Sequence, residues 1–434
     1  MKKFLTLALV LATVVSGTAI FTGCSNNTTD DENKDAVNEN KDAVNENKDG
    51  ENTDDETDDQ SGENTDTKDI KVGFIFLHDE NSTYDKNFMD AATAATEKLG
   101  IASENVMFKT NIPESSECYE AAAELADAGC DLVFADSFGH EDFMIQAAEE
   151  FTDVVFCHAT GTKAHTEKLD NFYNAFAAIY EGRYLAGVAA GLKLNEMIEA
   201  GDITAEEAKI GYVGAFPYAE VKSGYTSFFL GARSVCESAT MEVKFTNSWF
   251  DIAAEKETAN ALIADGCVLI SQHADSEGAP KACEEAKVPN IAYNLDTREW
   301  GPNTALVSSK INWEPYFEHI INAVENGTEI EQDFCKGLAD DVVQLIGLNE
   351  TVAAEGTAEK LEEVKAKIVS GEIKVFDTDT FTVNGEKLES YQADVDTDDN
   401  FTPDTEVVYD GYFHESEKRS APYFDVDIDG ITIK

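Results

Sequence analysis

Four loops carry the residues best suited to chemistry, and each follows a short apolar run. The first is His78-Asp79-Glu80-Asn81-Ser82-Thr83-Tyr84-Asp85, leading into Phe88, and the second is Asp136-Ser137-Phe138-Gly139-His140. Further on come Asn247-Ser248-Trp249-Phe250-Asp251 and His273-Ala274-Asp275-Ser276-Glu277-Gly278, then Asn294 with Asp296, and Lys310 in LVSSKINW. Aromatic faces, carboxylates, amides and one cation suit a flat, polar-rimmed ligand such as a purine, with rings stacked on aromatics and hydroxyls held by carboxylates. Asp and Ser before a helix also serve as N-caps, and a loop Phe or Trp also serves as a packing anchor.

The elements that would position these loops alternate. KVGFIFL at 71–77 reads as a buried strand, and FMDAATAATEKLG at 88–100 has helical spacing ending on Gly100. NVMFKTNI, ECYEAAAELADAGC, DLVFADS, EDFMIQAAEEF and VVFCHAT continue the pattern. After EGRYLAGVAAGLKLNEMI a second set runs from KIGYVGAF to NIAYNLD. Two α/β series imply two doubly wound lobes, with a ligand expected outside the carboxyl ends of the strands. Near the end, Asn384-Gly385 between alternating apolar residues is a hairpin signal. Alternating Val426, Ile428 and Ile431 around Asp429-Gly430 read as another strand and hairpin.

The start of the chain has a different character. MKKFLTLALVLATVVSGTAIFTGC has a charged start, an apolar run too short for a permanent span, and small residues before Cys24, as in a signal peptide. Residues 25–69 hold 17 Asp/Glu and 4 Lys and repeat KDAVNEN in tandem. Such a segment cannot bury enough apolar surface to fold and reads as a disordered tether reaching roughly 35–40 Å. The whole chain carries −54, which argues against nucleic acid and anionic lipid as partners. Seven cysteines beyond Cys24, with no CxxC, read as buried small hydrophobes of which at most one or two pairs bridge.

GFIFLHDENSTYDKNF, ADSFGHEDFM, EGRYLAGVAAG, IGYVGAFPYAEVKSGYTSFFLGAR, SWFD, SQHADSEGA and SSKINW together resemble the basic membrane protein family of substrate-binding lipoproteins. The resemblance covers roughly residues 70–330, and the residues around Cys24 are similar to that family's lipidation signal. It implies a type I periplasmic-binding-protein fold whose lobes, joined by three crossovers near Phe172, Asn294 and Leu306, close over a purine nucleoside. It also implies a monomer, anchored outside the cytoplasm by lipid on Cys24 and serving an ABC permease. The expected division is a signal peptide at 1–23, the tether at 24–69, and a first lobe of 70–172 plus 294–305. The second lobe is 173–293 plus 306–374, and 375–434 forms a β-rich extension.

Position by position, the resemblance makes Asp79 a ribose-binding carboxylate and Phe88 a base-stacking aromatic. Trp249 becomes a cleft aromatic, Asn294 stands where many members are acidic, and Lys310 where they are basic. Asp136 and Asp275 complete the expected ligand-binding set from their loops. Met89, Asn294 and the HADSEGA loop depart from the nucleoside-binding pattern, which leaves a purine base, another small solute or a sensing role open.

No cofactor or metal is expected. Asp394, Asp396 and Asp398 lack the glycine of a calcium loop, the chain ends too soon after Asp425, Asp427 and Asp429, and His158 with His165 match no zinc spacing. GxSxG, Walker A and catalytic Cys-His signatures are absent, so a nucleoside-cleaving enzyme is the weaker expectation.

Overall fold

A computed structural model describes residues 69–395 and 404–434. Cys24, the apolar leader, the acidic repeat and Asp396 to Asp399 lie outside the described residues.

The VGFI run forms β1 (Val72–Ile75), buried at every position, as a central parallel strand must be. Ser82 caps the next helix, α1 (Thr83–Lys98), by accepting the Asp85 amide. Then follow β2 (Val106–Lys109), α2 (Ser116–Asp127), β3 (Leu132–Ala135), α3 (Glu141–Glu150), β4 (Val155–Ala159), α4 (Ala164–Glu167) and β5 (Phe172–Ala177). The chain continues through α5 (Ile179–Ala200), β6 (Lys209–Gly214), α6 (Ala219–Arg233), β7 (Thr240–Phe245), α7 (Ile252–Ala264), β8 (Leu269–Gln272), α8 (Gly278–Ala286), β9 (Asn290–Tyr293) and β10 (Ala305–Ile311). Next come α9 (Glu314–Asn326), β11 (Asp333–Lys336), β12 (Val343–Ile346) and α10 (Thr357–Val369). The remainder holds the short strands β13 (Gln392–Ala393), β14 (Thr405–Glu406), β15 (Val408–Tyr409), β16 (Tyr412–Phe413) and β17 (Ile431–Ile433).

Two sheets define the lobes. One is ordered β11-β5-β4-β3-β1-β2 and the other β12-β10-β9-β8-β6-β7-β17. Every pairing in them is parallel except β12 on β10. This is the two-lobed, doubly wound architecture expected, but the crossovers fall elsewhere. They lie between β5 and α5, between β10 and α9, and between β11 and β12. Residues 294–305, expected in the first lobe, connect β9 to β10, which are direct neighbours in the second sheet. The segment holding α9 and β11, expected in the second lobe, belongs to the first. Trp313 and Phe317 pack on Phe88 and Phe74, and β11 pairs with β5. Periodicity separates strand from helix but carries nothing about which sheet a strand joins.

The EGRYLAGVAAG stretch owes its glycines to packing. A side chain at Gly187 would meet the Phe228 carbonyl at 1.9 Å, and one at Gly231 would meet that of Tyr184 at 2.0 Å. Small residues on both helices thus bring α5 and α6 backbone to backbone. Glu181, at the start of α5, accepts the Leu338 amide at 2.7 Å and ties two crossovers together.

Residues 375–395 and 404–434 pack on both lobes. Asn384 and Gly385 take the positive φ values of a tight turn closed by a Val383–Glu386 bridge, as the hairpin signal predicts. The second predicted hairpin does not form. Only Ile431–Ile433 becomes a strand, and it extends the second sheet in parallel beside β7. Stacked Phe376 and Phe424, 4.4 Å apart, centre a small aromatic core with Phe413. Ser420 donates to Asp333 of the first lobe, while Lys222 of the second lies 2.8 Å from Asp425 and 3.1 Å from Asp427. The seven described cysteines are unpaired, and six are buried.

Candidate functional site

Loops from both sheets converge on one cleft. The first lobe contributes His78, Tyr84, Asp85, Ser137, Phe138 and Thr160, and the second contributes Glu220, Trp249, His273, Asp275 and Tyr293. The lobes are closed on each other. The Thr83 amide donates to the Asp275 carbonyl at 2.8 Å, and the Phe138 and Tyr218 rings stand 5.5 Å apart across the divide. Only about 20 Å³ in the cleft is open to the centre of a water-sized sphere, roughly one water molecule. A solute of purine size enters only when the lobes part.

On the first lobe, α1 presents Tyr84 and Asp85 in its opening turn. The Asp85 carboxylate accepts the His78 amide at 2.7 Å and the Ser82 hydroxyl. Burial works against its charge, but hydrogen bonds from His78 and Ser82 outweigh it and hold the carboxyl below its usual range. Asp136, fully buried beside it, is pushed well up by burial and by the Asp85 charge. The two shifts run in opposite directions, so Asp85 is the more readily ionised of the pair. Tyr84 donates its hydroxyl to the Asp136 carbonyl at 2.9 Å. His158, which burial lowers to about 4, is neutral and donates to the Ser137 carbonyl at 2.6 Å. Thr160 is held at φ 64, a strained setting for a β-branched residue and one typical of binding sites.

On the second lobe, Asp251 caps α7 through the amides of Ala253 and Ala254. Glu255 accepts the amides of Asp251 and Ser276, so one buried carboxyl fixes the Trp249 loop and the HADSEGA loop together. Burial raises Glu255 to about 7. Trp249 packs edge-on to Phe216, at 5.1 Å, and is half-buried. Among the described residues none hydrogen-bonds the Asp275 carboxyl, and burial pushes that group well up. His273 bridges Tyr212 and Glu220 at 3.3 Å each. Behind Tyr293, whose ring lies 3.8 Å from it, the fully buried Arg183 donates to the Gln272 carbonyl. The cleft thus offers aromatic faces and carboxyl acceptors from both sides. It favours a flat solute rich in N–H and O–H donors and disfavours an anion. Among the described residues no cluster of His, Cys, Asp or Glu could hold a metal ion.

Residues 74–379 match the family described as PnrA-like ABC transporter substrate-binding proteins. The chain belongs to that family. It is a binding protein of an ABC system, working outside the cytoplasm on a small solute with a permease as partner, and it is not an enzyme. A purine-binding protein of Brucella abortus is 33% identical over 71% of this chain and 83% of its own length. A protein of Haloferax volcanii named for ABC-transporter glucose binding is 32% identical over 58% of this chain and 61% of its own length. Solved ABC solute-binding proteins from Aeropyrum pernix and Conexibacter woesei share the fold. Their TM-scores are 0.59 and 0.56, at 20% and 18% identity, over 71% and 70% of this chain and 93% and 98% of theirs.

In this binding protein two of the expected ligand residues, Trp249 and Asp275, line the cleft. Asp136 lies directly behind it. Asp79 stays on its loop, where its carboxylate accepts the backbone and side-chain N–H groups of Asn81, at 3.1 and 2.7 Å, and these bonds hold it below its usual range. Phe88 is wholly buried and stacked on Trp313 at 4.4 Å. It packs the core of the first lobe, while Tyr84, one turn earlier on the same helix face, reaches the cleft. Asn294 is buried at φ 69, with its amide donating to the Ser309 carbonyl, and its neighbour Tyr293 lines the cleft instead. Lys310 sits on β10, lowered by burial and facing Asp90 and Glu314 rather than the cleft. The sequence reading did not single out Tyr84, Asp85, Glu220, His273 or Tyr293 for binding. The available signal was their position, each at a strand's carboxyl end or in the turn opening the helix that follows.

Proposed function

We propose that this protein captures a purine nucleoside by lobe closure and delivers it intact to an ABC importer, as a monomer tethered by lipid on Cys24. One observation carries the reading: Trp249 from the second lobe and Phe138 from the first present aromatic faces to a cleft rimmed by Asp85, Glu220 and Asp275. Rings stack on the aromatics, and ribose hydroxyls and ring N–H groups donate to the carboxylates. The purine-binding relative supports the ligand class. Closure follows from the division of the site between lobes, since neither half alone surrounds a ligand.

Thermal shift with adenosine, guanosine, inosine, adenine, hypoxanthine and glucose tests the reading, because a ligand bound only by the folded state raises its melting temperature. Nucleosides should give the largest rise. A rise with glucose and none with any purine would replace the ligand class with a sugar. Cys24→Ser should release the protein from the membrane fraction while leaving these shifts unchanged.

A further inference from the structure

A second cavity opens off the side of the cleft and shares Phe138, Thr160 and Glu220 with it. It is far larger: about 640 Å³ is open to the centre of a water-sized sphere. Its outer wall comes from the C-terminal extension, through Tyr391, Gln392, Arg419 and Tyr423. The residues that match the family end at 379, so this wall is an addition to the shared fold.

The wall is firmly built. Glu406 accepts the Tyr391 amide at 3.0 Å and the Gln392 side chain at 2.8 Å, and the Tyr391 ring rests 5.7 Å from Phe413. Arg419, 8% exposed, donates to the carbonyls of Ala421 and Pro422. Glu415, Asp394 and Glu141 surround that guanidinium, and Glu220 and Asp425 add further carboxylates to the lining. The chamber is therefore aromatic and hydroxyl- or amide-lined, with an excess of negative charge. Sugar C–H faces suit such rings and sugar hydroxyls suit such acceptors, whereas a phosphate is repelled.

We propose that this chamber is a second subsite of the same binding site, in which the extension holds a neutral, hydroxyl-bearing part of the ligand while the ring lies in the cleft. The extension then selects a glycosylated ring over both the free base and its phosphate ester. The proposal rests on the purine reading above.

Calorimetric titration of the full protein with inosine, hypoxanthine and inosine monophosphate tests it, for the wild type and for Tyr391→Ala, Gln392→Ala and Tyr391→Phe. The last removes one hydroxyl and should keep the fold. The wild type should bind inosine about tenfold more tightly than either other ligand. Tyr391→Ala and Gln392→Ala should each weaken inosine by roughly tenfold, the scale of one lost hydrogen bond or contact. Tyr391→Phe should weaken inosine by about threefold, and hypoxanthine affinity should stay within about twofold in all three variants. Equal losses for inosine and hypoxanthine, no loss in any variant, or tight binding of the monophosphate would overturn the subsite while leaving the purine reading intact. A wild type that binds none of the three overturns the purine reading itself, and the subsite with it.

Discussion

The two faces of the cleft use the same residue types for different ends. On the first lobe the acids are tied inward: Asp85 accepts from His78 and Ser82, and Asp136 accepts the Leu77 amide at 3.2 Å. Four of its large aromatics, Phe88, Phe134, Trp313 and Phe317, are stacked in the core, while Tyr84 and Phe138 bring rings to the cleft. On the second lobe the Asp275 carboxyl has no protein donor among the described residues, and Trp249 keeps a face open. The first lobe therefore offers a rigid floor, and the second leaves the less engaged polar group facing the cleft. A carboxylate serves a ligand only when the fold leaves its lone pairs unclaimed.

The largest test of this asymmetry is Phe88→Ala, which should cost about 3–5 kcal/mol of stability, as deletion of a buried aromatic does. Chemical denaturation measures the loss, and whatever remains folded should bind with near-normal affinity. A loss of affinity at unchanged stability would return Phe88 to the ligand.

The next effect needs no mutation. Burial raises Glu255 to about 7 and Glu415 to about 8, and pushes Asp136 well up. Between their unfolded and folded pKa values these groups hold more protons folded than unfolded, so stability is greatest below about pH 4.5 to 5 for these terms and is lost as pH rises towards 8. Melting should occur several degrees lower at pH 8.5 than at pH 5.5, a shift on the scale of a few kcal/mol. Glu415→Gln should flatten that slope, and an unchanged slope would contradict the assignment.

Smaller effects fall on binding. Trp249→Ala should cost about 1–3 kcal/mol for any purine, as loss of one stacking face does. Asp275→Asn should weaken nucleoside binding by about 0.5–1.5 kcal/mol, the range for a hydrogen bond between neutral groups, since burial favours the uncharged carboxyl. Titration calorimetry reads both. Least affected should be Asp79→Asn, with affinity changed by less than about twofold, because a surface substitution away from the site rarely matters more. A large nucleoside-specific loss there would invert the account of the first lobe.

Much of this was legible in the residues. The strand-helix alternation gave both lobes, and the Asn384-Gly385 turn lies where it was read. Each of the four loops reaches the cleft, and Thr160, Glu220 and Tyr293 from three further segments complete its lining. What failed was resolution within the loops. Asp79 and Asp85 lie in the same loop, but only Asp85 enters the helix turn that points into the cleft. Tyr84 and Phe88 share one helix face, and their difference of one turn decides between cleft and core. Lobe membership of 294–336 was hidden because neighbouring strands of one parallel sheet come from distant stretches of chain.

Recovering the full protein from its native cells under gentle conditions and identifying by mass spectrometry the small molecule it carries tests the central claim most directly. The account predicts a stoichiometric, intact purine nucleoside, lost on Trp249→Ala. A sugar or any other non-purine solute at the same stoichiometry would contradict it.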